Sequence, residues 1–127
     1  MRRTAITLLI TLAVLLGSAG VSWSADFAKG QAAFDERDYK TALREFKPLA
    51  EQGDALAQFS LGVMYYTGKG VPQNMVYAYM WFNIAVSSGY KNASEIRDFI
   101  AELMTPADIS TAQNLAQECM RKNFKGC

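Results

Sequence analysis

Cys119 and Cys127 are the two cysteines of the chain, with seven residues between them. Two thiols are too few for a four-ligand thiolate zinc site. Their spacing does not resemble the C-x-x-C of a redox-active pair. There is no histidine. Its lack removes the commonest general base, the commonest metal ligand and every Ser/His or Cys/His nucleophile pair. Carboxylates gather at Asp35, Glu36 and Asp38, and a glycoside-cleaving site needs two facing each other across a cleft. These three sit in a polar connection and read more simply as a solvated turn. Gly68-Lys69-Gly70-Val71-Pro72 has two glycines suited to positive φ and a proline that blocks helix continuation. It lacks the lysine–serine/threonine pair of a phosphate-binding loop and any preceding strand, so it reads as a helix connector. No catalytic residue, cofactor or metal is expected.

The elements that carry these residues occupy only part of the chain. The 127 residues allow one domain. The net charge of +1 lacks the basic excess of a nucleic-acid binder. Residues 1–24 read as an export signal: Arg2 and Arg3, an apolar run from Ala5 to Leu16, then Gly17-Ser18-Ala19-Gly20. Ser22 and Ser24 place small residues where a signal peptidase reads, so cleavage is expected between Ser24 and Ala25. The apolar run is short of the ~20 residues of a spanning helix, and an uncleaved anchor is the lesser alternative. The mature domain, residues 25–127, then has a net charge of −1 and a periplasmic or secreted location, with no membrane contact after cleavage.

The mature chain repeats itself. At a shift of 36, Ala42 falls on Ala78, Phe46 on Phe82 and Gly53 on Gly89; upstream the shift is 32, with Gly30 on Gly62 and Phe34 on Tyr66. The difference lies between Tyr66 and Met75, which predicts two helix–turn–helix units with unequal inner turns. Leu43, Phe46, Leu49 and Ala50 have helical spacing, with Gly53 as a stop. Asp54 caps the next helix, to about Tyr66. Met75–Ser88, Ala93–Met104 and a helix begun by Thr105-Pro106 complete the set. About six helices in three antiparallel pairs are expected.

Ala57, Leu61-Gly62, Tyr65, Gly68 to Pro72, Ala78, Trp81, Ala85 and Gly89 resemble one complete Sel1-like repeat over residues 54–89. Residues 25–53 resemble a shortened, tetratricopeptide-like unit, and residues 90–127 a divergent closing segment. The resemblance implies an α-solenoid that binds proteins or peptides as an adaptor or regulator. It also makes Tyr65 and Trp81 core positions. Tyr66, Tyr79 and Tyr90 are freer, and are the candidates for partner contact.

From Met75 to Val86 only Asn83 is polar. Such a helix must be buried from both sides, as in the centre of a stacked array. The helix Ala107–Arg121 has one apolar stripe, Ile109, Ala112, Leu115, Ala116 and Cys119, which suits an end cap. Near its end, Phe124-Lys125-Gly126 could turn Cys127 back onto Cys119, and an oxidising compartment favours that bridge over free thiols. The C-x7-C spacing also resembles the helix-end disulfide of cysteine-rich Sel1-like proteins.

The expected function is a non-catalytic protein- or peptide-binding module of the cell envelope, a monomer or weak dimer. The rival is a cell-wall or carbohydrate-handling protein using acidic and tyrosine side chains.

Overall fold

A computed structural model describes residues 25–127; the expected export signal, residues 1–24, lies outside the described residues. The described chain is six helices with no strand: α1 (Phe27–Asp35), α2 (Tyr39–Glu51), α3 (Ala55–Thr67), α4 (Met75–Ser87), α5 (Ala93–Ala101) and α6 (Pro106–Arg121). The all-α solenoid architecture expected from the sequence is present.

Local chemistry sets the boundaries. Asp26, Asp38, Asp54, Asn74 and Thr105 each cap a helix by accepting a hydrogen bond from the backbone N–H three residues on. This satisfies one of the donors a helix start leaves free. Gly68 ends α3 in the left-handed region, its N–H donating to the Met64 carbonyl at 2.8 Å. Pro106 opens α6, where a missing N–H costs nothing. The fifth helix stops at Ala101, three residues before the expected Met104.

Helix α4 is the centre of the structure. It packs on α3, α5 and α6, and Ala78, Tyr79, Met80, Trp81, Phe82, Ile84 and Ala85 are all buried. Its two faces serve two cores. Met80, Trp81 and Ile84 join Phe46, Ala50, Leu61, Met64, Ala116 and Cys119 in one. Ala78, Tyr79 and Phe82 join Ile100 and Ala112 in the other. The third helix pair departs from the expected hairpin. Helices α5 and α6 pack mainly on α4, and their backbones make little contact with each other, although Ile100 and Ala112 share the second core.

The two units share one device. A Cβ placed on Gly62 would lie 2.6 Å from the Phe82 ring, and one on Gly30 would lie 2.7 Å from the Phe46 ring. In each unit, then, a side-chain-free turn of the first helix receives a phenylalanine of the second. The four extra residues of the second unit lie in its inner turn. That turn folds back on the first unit: the Lys69 ammonium stands 5.5 Å from the Phe34 ring centre and 5.7 Å from that of Tyr39. Gly70, at φ 78°, passes so close to Tyr39 and Met64 that a Cβ would lie 2.7 Å from the Met64 methyl. The loop therefore couples the units.

Candidate functional site

The candidate site is a groove between α1 and α3, which pack on α2 rather than closely on each other. Phe27, Gln31 and Phe34 of α1 form one wall, and Leu56, Phe59, Ser60 and Val63 of α3 the other; Phe46 and Tyr90 also line it. Its volume is about 280 Å³, small beside the cavities that enclose drug-sized ligands and of the order of a few apolar side chains. The aromatic rings support one another. Phe59 meets Tyr90 edge-on at 5.0 Å and Phe82 at 5.4 Å, and Phe27 meets Phe46 at 5.3 Å. Leu56, on the rim, is 45% exposed. Besides the Tyr90 hydroxyl, two polar side chains border the apolar lining, and both are already engaged. Gln31 donates to Asp35, and the Ser60 hydroxyl donates to the Leu56 carbonyl.

The three tyrosines expected to meet a partner have different fates. Tyr90 lines the groove. Tyr66 is half-buried at the edge of the second core. Tyr79 is a correction: it is 6% exposed and its hydroxyl accepts a hydrogen bond from Gln113 at 3.3 Å. In a helix apolar on every side, sequence gives no sign of which aromatic faces outward. Here Tyr77 does, in place of Tyr79. Phe27, Phe34, Leu56 and Phe59 escaped notice as site residues, because each fits a core stripe when its helix is read alone. The groove arises only where two such stripes fail to meet.

The repeat positions behave as structural elements. Leu61, Gly62, Ala78, Trp81 and Ala85 are buried, Tyr65 and Val71 half-buried, and Pro72 exposed. Gly68, Gly70 and Gly89 take φ of 71°, 78° and 115°. Burial lifts the Tyr65 hydroxyl above the usual tyrosine range, with Tyr77 adding to the effect; their rings lie 5.3 Å apart.

Cys119 and Cys127 are bridged, their Cα atoms 5.7 Å apart. The tail reaches back through Asn123 and Phe124, both at positive φ, and the Phe124 N–H donates to the Cys119 carbonyl at 2.9 Å. The Phe124 ring covers Gly53, at 3.3 Å from where a Cβ would stand.

The carboxylates of the catalytic rival have other duties. Asp38 is the N-cap of α2. Hydrogen bonds from the Thr41 hydroxyl and backbone N–H hold its pKa below the usual carboxylate range. A general acid working at neutral pH needs the opposite shift. Asp35 accepts from Gln31, and Glu36 is the exposed C-cap of α1. No cluster of three His, Cys, Asp or Glu suited to a metal occurs among the described residues. No helix among them is long and apolar enough to cross a membrane.

Residues 55–90 match the Sel1 repeat. The chain carries a Sel1-like repeat. The match covers α3, the glycine loop and α4, ending on Tyr90 at the groove. Sel1 repeats generally mediate contacts between proteins, so this one supplies a wall of the groove from an interaction module. No curated protein matches the chain.

Proposed function

We propose that this Sel1-like protein is a non-catalytic binding module of the bacterial cell envelope, exported to the periplasm by residues 1–24 and working as an adaptor or regulator. Its groove between α1 and α3 takes a peptide segment that presents one or two bulky apolar side chains. The observation that carries this reading is the groove, where the Phe27, Phe34, Phe59 and Tyr90 rings stay partly open to solvent. Aromatic-lined clefts of this size are where interfaces concentrate their binding energy. The volume suits side chains of a peptide, not a whole cofactor.

Selection from a random peptide library on the purified protein tests the site. Peptides sharing an apolar anchor should shift the NMR signals of α1 and α3. Leu56→Lys, on the exposed rim, should abolish their binding while the melting temperature stays unchanged. Peptides that bind Leu56→Lys equally well would move the site elsewhere. N-terminal sequencing of the envelope protein tests the location, with Ala25 as the expected first residue.

A further inference from the structure

We infer that a second copy of this chain docks head to tail, with α2 of one copy lying antiparallel on α5 of the next. The argument is independent of the groove. Phe99 of α5 is 52% exposed and Leu103, two residues past its end, 61%; they are the two most exposed large apolar side chains among the described residues. They stand beside Glu95, Asp98 and Glu102, all exposed. On α2, Lys40, Leu43, Arg44, Lys47, Pro48 and Glu51 surround a shallow hollow of about 370 Å³.

The two faces complement each other position by position. The charges of α2 read Lys40, Arg44, Lys47, Glu51, at steps of four, three and four residues. Those at α5 read Lys91, Glu95, Asp98, Glu102, at the same steps. Run antiparallel, Lys40 would face Glu102, Arg44 would face Asp98, Lys47 would face Glu95, and Glu51 would face Lys91. All four pairs join opposite signs, including the last, where both signs are reversed. The same register sets Leu43 opposite Phe99, so an apolar knob meets the hollow. A parallel arrangement brings Glu51 onto Glu102 and Lys40 onto Lys91, two repulsive pairs.

The contact cannot form within one chain, because α2 and α5 belong to different parts of the array and do not pack together. It joins two different patches, so each copy keeps one free end and association is open to further copies. Asp98 already meets Arg97 at 3.0 Å and remains 69% exposed, so Arg44 would share it. One helix on one helix is a small interface, which makes the association weak. Exposed ion pairs make it sensitive to salt.

Sedimentation equilibrium of the purified protein, up to millimolar concentration, is the test. Self-association should weaken roughly tenfold between 50 and 300 mM salt. Arg44→Glu with Lys47→Glu should be monomeric, as should Glu95→Lys with Asp98→Lys. Mixing the two variants should restore association, because each then meets a complementary face. Unchanged circular dichroism and melting would show that both variants fold, as expected for exposed positions. Wild type that stays monomeric at millimolar concentration overturns the inference. So does association that survives either reversal, or two variants that fail to complement.

Discussion

The ring of Phe82 occupies the space that a side chain at position 62 would need. A Cβ on Gly62 would lie 2.6 Å from both Cδ1 and Cε1 of that ring, and Phe82 is fully buried. Alanine is the better helix former by about 1 kcal/mol, so propensity and packing pull in opposite directions here. Packing wins, since the ring has no space to retreat into. Gly62→Ala is expected to cost about 1–3 kcal/mol, read from urea unfolding. Measured in a Phe82→Leu background the cost should fall by at least half. Equal cost in both backgrounds would show that the ring is not the cause.

The Cys119–Cys127 bridge closes a loop of about eight residues, for which chain entropy predicts about 2.5 kcal/mol. Cys119→Ala with Cys127→Ala should lose roughly that amount or less. Hydrogen exchange should quicken most in the last turn of α6 and at Phe124, beyond the increase that the lost global stability brings elsewhere. Uniform quickening along the chain would mean that the bridge supports the whole array rather than its end.

Gln58 is fully buried; its side-chain nitrogen donates to the Ala50 carbonyl at 3.2 Å, and its Oε1 has no partner. The Ala50 carbonyl also accepts from the Gly53 N–H, so it would stay satisfied without the glutamine. Gln58→Met is therefore expected to be neutral or stabilising by up to about 1 kcal/mol. Gln58→Glu should be destabilising at neutral pH and less so in acid, where a buried carboxyl is uncharged. Melting curves of both variants at pH 7 and pH 4 check the pair.

Asp38 gives a pH signature of opposite sense. Its folded pKa is depressed below 3.8 by the hydrogen bonds from Thr41. The carboxylate's contribution is therefore complete above the ordinary value and is lost as pH falls through the folded one. Asp38→Asn keeps a cap without the charge. The melting temperature of wild type minus variant should be flat from pH 7 to pH 5 and decline below pH 4. A difference that is flat to pH 2 would assign the cap no charge effect.

Much of this was legible in the chain. The change of shift from 36 to 32 located the inner-turn insertion, and the Gly30/Gly62 and Phe46/Phe82 matches are the same contact made twice. Two of the five side-chain caps, Asp54 and Thr105, were readable because their chemistry is local; Asp26, Asp38 and Asn74 emerged only with the helix starts they cap. The side on which Tyr79 lies was not, because an all-apolar helix carries no pattern to orient it. Nor was the α1–α3 groove, since a stripe on one helix does not reveal whether its neighbour arrives. The sparse backbone contact between α5 and α6 was hidden for the same reason: it depends on which faces α4 offers, and α4 is apolar on nearly all of them.

That surrounded position of α4 bears on how the molecule comes apart. In a long array a terminal repeat can fray while the rest persists, because each unit answers only to its neighbours. Here α3, α5 and α6 all rest on one helix that is buried from Ala78 to Phe82 and again at Ile84 and Ala85. Losing any of them uncovers part of α4, so partial opening is costly and the domain should unfold in a single step. The cores on its two faces are thereby one thermodynamic unit, joined further by Tyr65, which packs against both.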